Sequence, residues 1–199
     1  MRAGARARID KRAIVKKVAR SKKFTRATEN NARRKFDIEL RKLLNDFDND
    51  PVTREIKYKN GRNISGTLSG INANLFNYIG FYASDNPEEE LRSLLETSII
   101  LSKRGTVKVV GRKPRIEYKV TIPTKAQVQS VTRMPWSSKS WAYGIETGID
   151  GFNYFLNIKA RASRSGKGIQ SKYVMREGGF RPQSYITGML QRFMSQFNK

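Results

Sequence analysis

Residues 36–47 read Phe-Asp-Ile-Glu-Leu-Arg-Lys-Leu-Leu-Asn-Asp-Phe, and they carry the clearest helix signal of the chain. Their large apolar residues recur at i, i+4, i+7, i+8 and i+11, which is one face of a 3.6-residue period. Asp37 and Arg41 are four residues apart on the solvent-exposed side, a spacing at which an ion pair stabilises a helix. The Asp and Asn residues that follow, together with Pro51, predict that the helix ends between residues 45 and 51. Thr25 or Thr28 is the predicted N-cap.

Strand-like segments follow on the C-terminal side of this helix. Residues 54–58 are predicted as a short strand, and residues 98–101, 106–110 and 115–122 are rich in Ile and Val. The last of these alternates apolar and polar residues, as a strand with one wet face does. Glycine-containing breaks separate the three later segments, so the sequence predicts an antiparallel meander.

The order of elements predicts the fold class. Pro182 stands at the expected start of a C-terminal helix with apolar residues on one side. Helices, then a sheet, then a helix predict an α+β fold, in which an antiparallel sheet is packed by the long helix and the C-terminal helix. Residues 1–24 are predicted to be a basic N-terminal arm. Residues 25–199 are predicted to form a single domain with a basic hairpin loop at about 159–168.

The net charge of +23 is unevenly distributed along the sequence. Residues 1–35 carry a net charge of +12, residues 36–150 only +3, and residues 151–199 carry +8. This distribution is typical of a balanced body with basic appendages, and it predicts an anionic partner, either DNA or an acidic protein surface. The candidate contacts are Arg2, Arg6, Arg8, Lys11, Arg12, Lys16, Lys17, Arg20, Lys22, Lys23, Lys159, Arg161, Arg164, Lys167 and Lys172.

The composition also excludes several classes of site. The chain has neither Cys nor His, which excludes a disulfide framework, the usual zinc sites and nucleophiles activated by histidine. No apolar run approaches ~18 residues, so no membrane span is predicted. The basic start of the chain lacks the apolar stretch of a secretory signal.

No enzymatic activity, cofactor or metal is predicted. The strand sequence Glu117-Tyr118-Lys119 matches part of a metal-dependent nuclease signature, which also needs an upstream Pro-Asp pair to share the metal. Here the order is reversed, as Asp50-Pro51. We therefore predict that Glu117 and Lys119 are charges on a wet strand face, and a nuclease remains only a third option.

Aromatic residues are concentrated between residues 136 and 155. Such a cluster is typical of an interface between subunits, and it is equally typical of a small core. The candidate interface residues are Trp136, Trp141, Tyr143, Phe152, Tyr154 and Phe155.

Three stretches of the sequence are residues 63–70 together with 75–81, residues 134–152 and residues 163–170. Together they resemble structural proteins from the head–tail junction of tailed bacteriophages. The layout is similar to the tail-completion, or head–tail joining, family over residues 28–199. Members of that family have an N-terminal helix, a Ser/Thr-Gly-x-Leu segment, a tyrosine-bearing glycine-rich segment and a Phe-Arg-Pro start to the C-terminal helix. At the corresponding places this sequence has three motifs, namely Ser-Gly-Thr-Leu at 65–68, Trp-Ala-Tyr-Gly-Ile-Glu at 141–146 and Phe-Arg-Pro at 180–182.

The resemblance implies a non-enzymatic virion protein that assembles in the host cytoplasm. Such proteins form a ring, sixfold or twelvefold, in the neck between the portal and the tail tube, and DNA passes through its lumen. The implied partners are other copies of the chain, the portal or head-closure protein, and the tail-tube or tail-terminator protein. The charge suits a second class equally well, namely a ribosomal or other RNA-scaffold protein with a basic extension.

Overall fold

The helix predicted at residues 36–47 is part of a longer helix, α2 (Lys22–Asn49). The computed structural model in which it lies describes residues 10–59, 62–68, 74–111, 113–148, 155–157, 169–171 and 180–197. The protein is α+β, which confirms the predicted fold class. The other helices are α1 (Lys11–Arg20), α3 (Pro51–Lys57), α4 (Leu75–Ile79), α5 (Pro87–Ser98), α6 (Lys125–Val131), α7 (Trp141–Thr147) and α8 (Ile186–Ser195). The strands are β1 (Ile100–Val110), β2 (Lys113–Thr121), β3 (Arg133–Met134), β4 (Ser137–Ser140), β5 (Phe155–Asn157) and β6 (Ile169–Ser171).

The start of α2 differs from the prediction. Thr25 and Thr28 are not caps, because each side chain donates to the backbone carbonyl four residues earlier, at 3.3 and 2.9 Å, inside continuous helix. Ser21 lies between α1 and α2, and its hydroxyl accepts the Phe24 N–H at 3.2 Å. Residue 24, where the sequence predicted the arm to end, therefore lies inside α2.

The chain divides into two compact units. The first unit is formed by Met1–Ile38 and Ile100–Thr121, and the second by Glu39–Ile99 and Ile122–Lys199. This division differs from the predicted arm and single domain because residues 100–121, far along the sequence, belong with the N-terminal helices.

In the first unit, β1 and β2 form one long antiparallel hairpin against which α1 lies. The predicted meander is wrong, because its first two segments are a single strand. Gly105 has φ 71° and lies in the register shift between Arg104 and Lys108, so the strand bulges there and continues. Gly111, with φ 64°, opens the tight turn between the strands, a position that favours glycine.

In the second unit, a helix replaces the predicted strand at residues 54–58. Pro51 is the first residue of α3, and the Asp50 carboxylate accepts the Val52 N–H at 2.9 Å as its N-cap. The predicted C-terminal helix is α8, which begins at Ile186, beyond Pro182.

The predicted basic hairpin of the second unit is described only at its arms. Strands β5 and β6 pair antiparallel, with Leu156 opposite Gln170. The loop at 159–168 lies outside the described residues.

Candidate assembly site and basic surface

A buried carboxylate holds the Ser-Gly-Thr-Leu segment at residues 65–68. Glu55 of α3 is fully buried, and its two oxygens accept the backbone N–H groups of Ile64 at 2.9 Å, Ser65 at 2.7 Å and Leu75 at 2.8 Å. Three charge-assisted hydrogen bonds offset the cost of burying this charge. Glu55 thereby ties residues 64–65 to the first residue of α4.

The same segment contacts the Phe-Arg-Pro motif. Leu68 and Phe180 form an antiparallel bridge, and the Arg181 N–H donates to the Thr67 carbonyl at 2.7 Å. The Gln183 side chain donates to the Ser65 carbonyl at 2.5 Å. The first and third motifs of the resemblance are therefore hydrogen-bonded neighbours.

The second motif, on α7, contacts the segment that leads into α8. The Gln183 N–H donates to the Ile145 carbonyl at 2.9 Å. Tyr185, the N-cap residue of α8, provides no side-chain cap of its own. Glu146 supplies the cap instead, because its carboxylate accepts the Tyr185 N–H at 3.1 Å, the Thr187 N–H at 2.6 Å and the Thr187 hydroxyl at 2.5 Å.

These contacts bring the three motifs together in one place. We call this place the segment junction, defined as residues 63–68, 141–147 and 180–187. Its groups are backbone amides, carbonyls and capping carboxylates. Such groups fix the relative positions of a loop and two helices.

Trp141 is part of the aromatic core behind the junction, which corrects its assignment to a subunit interface. Its side chain is 0% exposed, and its ring lies 6.1 Å from both Phe81 and Tyr185. The Tyr185 hydroxyl forms a 2.7 Å hydrogen bond with the Thr53 hydroxyl in a fully buried site. No part of the Trp141 ring is therefore exposed to contact another subunit.

The other candidate interface residues have different positions. Trp136 is 37% exposed, and its indole N–H donates to the Ile79 carbonyl at 2.6 Å, so the ring is fixed at the surface. Tyr143 is half-buried with Lys125 over its ring. Phe155 lies on β5, and Phe152 and Tyr154 lie outside the described residues.

Burial perturbs several ionisable groups of the second unit. It raises the pKa of Tyr185 well above the ordinary value of a phenol, and it also raises the pKa of Tyr78. Burial likewise raises the pKa of the Asp50 carboxyl, although the N–H groups of Val52 and Thr53 act in the opposite direction. Because both tyrosines resist ionisation, their neutral forms are the ones that stabilise the fold.

The predicted basic contacts are only partly within the described residues. Lys11, Arg12, Lys16, Lys17 and Arg20 lie on α1, while Lys22 and Lys23 begin α2. The side chain of Arg12 is not described, and the other six are exposed. The remaining predicted contacts lie outside the described residues: Arg2, Arg6, Arg8, Lys159, Arg161, Arg164, Lys167 and Lys172.

The sequence analysis did not identify the basic residues of the first unit's hairpin. Residues 100–121 contain seven Lys or Arg and one acid, Glu117. The signal lies in the alternation of residues 115–122, which places Lys119 on the solvent-exposed face. Continued towards the N-terminus, the same alternation also places Arg115 and Lys113 on that face.

The structure places the acidic residue of the nuclease option at the surface. Glu117 lies on the exposed hairpin, where it pairs with Lys108 at 3.2 Å. Within the described ranges, no three acidic side chains lie close enough to share a metal ion. No helix among these residues combines the length and the apolar composition needed to cross a membrane.

Comparisons with known proteins return no relative. The chain matches no protein-family model, no curated protein and no solved structure.

Proposed function

We propose that this protein is a structural component of the neck of a tailed bacteriophage, where it forms a ring that joins the head to the tail and lets DNA pass. The observation that carries the proposal is the segment junction. The three motifs that resemble the tail-completion family come from distant parts of the sequence, yet the first and third are hydrogen-bonded to each other, and the second is hydrogen-bonded to residues 183–187, directly after the third. This convergence supports the proposal, because it gives the three motifs a shared structural role.

The contacts within the junction suit a scaffolding role. The carboxylates of Glu55 and Glu146 accept hydrogen bonds from backbone N–H groups. They therefore fix the loop at 64–65 and the start of α8. A subunit of a ring that transmits DNA needs this kind of rigid support, since its contact faces must match those of identical neighbours.

Among the candidate subunit contacts whose side chains the structure describes, Trp136 is the one that is exposed on the second unit's surface. We expect Trp136→Ala to weaken ring formation, measured by sedimentation velocity and negative-stain imaging of the purified protein. Tyr58→Ala is the matched control, because Tyr58 is also an exposed aromatic residue of the second unit but was not assigned to an interface. If the two substitutions weaken ring formation equally, Trp136 is not part of the subunit interface.

Particles made without the protein test the function itself. The proposal expects DNA-filled heads and separate tails, which purified protein then joins. Normally joined particles in its absence would refute the proposal.

The RNA-scaffold alternative draws on the basic first unit. It predicts that the protein co-sediments with ribosomes and stays bound as salt is raised to levels that release adventitious basic proteins. Such binding, together with normal joining of heads and tails, would replace the neck proposal.

A further inference from the structure

The first unit concentrates most of the protein's positive charge. Its described residues, 10–38, 100–111 and 113–121, contain seventeen Lys or Arg and four Asp or Glu, a net charge of +13 out of +23. Because α1 lies against both strands of the hairpin, the charges of helix and hairpin belong to one body.

The hairpin has one apolar face and one basic face. In β2 the exposed residues alternate with half-buried ones, and Pro114, Ile116, Tyr118 and Val120 are half-buried. The register places Ser102 opposite Lys119, Arg104 opposite Glu117 and Lys108 opposite Arg115, and paired residues share a face. The basic face therefore consists of Arg104, Lys108, Lys113, Arg115 and Lys119, all of them exposed.

Little on the hairpin neutralises this face. Glu117 is its one acid, and it forms a 3.2 Å ion pair with Lys108 in which both side chains are more than half exposed. Such an exposed ion pair contributes little to stability, so Lys108 can readily exchange Glu117 for another anion. Within the described residues, no carboxylate lies within 4.0 Å of the cationic atoms of Arg104, Lys113, Arg115 or Lys119.

The length of the face and the absence of aromatic residues on it favour a duplex over a single strand. From Lys113 to Lys119 it extends about 20 Å at the usual rise of a strand, which matches about six base pairs of B-DNA at 3.4 Å each. Duplex DNA carries one negative charge per about 1.7 Å of its axis, so a row of cations of this length meets several phosphates along the backbone. The face carries no aromatic residue on which single-stranded bases could stack.

We infer that the basic face of the β1–β2 hairpin binds the phosphate backbone of duplex DNA without reading its sequence. The inference rests on the proposed function, because it names the partner of the neck ring's charged surface. Lys and Arg that contact phosphates release condensed counterions, so binding weakens as salt rises.

Fluorescence anisotropy of the full chain with two duplexes of unrelated sequence tests the inference. The wild type should bind both alike. The triple variant Lys113→Gln, Arg115→Gln, Lys119→Gln should lower the slope of log affinity against log salt by about 2.7, since each phosphate contact contributes about 0.9. That slope corresponds to a loss on the order of 500-fold in affinity at 0.1 M salt, relative to a 1 M reference.

A control variant of equal net charge distinguishes the effect of the basic face from the effect of the protein's total charge. The variant Arg41→Gln, Lys57→Gln, Arg133→Gln removes three exposed cations of the second unit and should keep the wild-type slope. Equal weakening by both variants refutes the inference. If the triple hairpin variant does not fold, Lys113→Gln alone should lower the slope by about 0.9, and an unchanged slope refutes the inference.

Alternative partners give different results. Tighter binding to duplex RNA, or equally tight binding to poly-glutamate, overturns the assignment to DNA. A hairpin variant that still binds DNA like the wild type also overturns it, whereas the neck proposal falls only if particles without the protein are normally joined.

Discussion

Replacing Glu55 by Gln tests how the segment junction is held in place. The Glu55 carboxylate is fully buried and accepts N–H groups from Ile64, Ser65 and Leu75. A carboxamide has nearly the same shape, but only its oxygen accepts hydrogen bonds. Its NH2 group must therefore face at least one of the three backbone donors. We expect Glu55→Gln to destabilise the second unit.

The contacts of Glu55 set the magnitude of this loss. The best Gln orientation keeps the bonds from Ile64 and Ser65 and breaks the one from Leu75, and leaving a buried N–H without a partner costs about 1–3 kcal/mol. The two remaining bonds each weaken by roughly 1 kcal/mol, because their acceptor is no longer charged. Removing the buried charge lowers the desolvation cost and offsets part of this. The expected net loss of unfolding free energy is about 2–4 kcal/mol.

Urea unfolding followed by tryptophan fluorescence measures this loss. The chain has two tryptophans, Trp136 and Trp141, and both belong to the second unit, so the signal reports on the unit that contains Glu55. Glu90→Gln on α5 is the control, since Glu90 is exposed and its replacement should change the unfolding free energy by less than about 0.5 kcal/mol. If the two substitutions shift the midpoint equally, the carboxylate of Glu55 does not hold the junction.

Three further predictions concern the same unit. Tyr185→Phe leaves the buried Thr53 hydroxyl without its partner, so it should lower the unfolding free energy measured in urea by about 1–2 kcal/mol. An additional Thr53→Val should recover part of that loss, and additive losses would contradict the coupling of the two residues. The raised pKa values of Tyr78 and Tyr185 mean that the folded state keeps their protons when unfolded chains lose them, so stability should fall as the pH rises above about 10. Phenolate absorbance should then show these two ionising only as the protein unfolds, and complete ionisation of a chain with native circular dichroism would refute this. Glu146→Gln should cost about 1 kcal/mol and speed hydrogen exchange at the Thr187 amide, and unchanged exchange would show that Glu146 does not cap α8.

Strong periodic signals in the sequence predicted elements correctly. The stripe at residues 36–47 and the apolar residues that follow Pro182 both correspond to helices. Residues 54–58 were misread because Ile56 and Tyr58 alternate like a strand. The stronger local signal, Asp50 followed by Pro51, is a helix start, and the buried Glu55 is intelligible only on that helix.

The candidate site could be predicted only in part, because its contacts are long-range. The three motifs were visible in the sequence, but nothing in it indicated that Glu146 caps a helix that begins 40 residues later. Trp141 illustrates the same difficulty. A cluster of aromatic residues has the same composition in a core and at an interface, and only the burial of each ring distinguishes the two.

The charge of the first unit shows how a linear count of residues can conceal a surface. Residues 36–150 appeared electrostatically ordinary, with a net charge of +3. Within that window, residues 39–99 carry −3 and residues 100–121 carry +6, so the first segment offsets half of the charge of the second in the sum. In the folded chain they belong to different units, and the hairpin at 100–121 joins the basic helices instead. Because phosphate contacts depend on local charge, the basic surface is a property of the fold rather than of the sequence order.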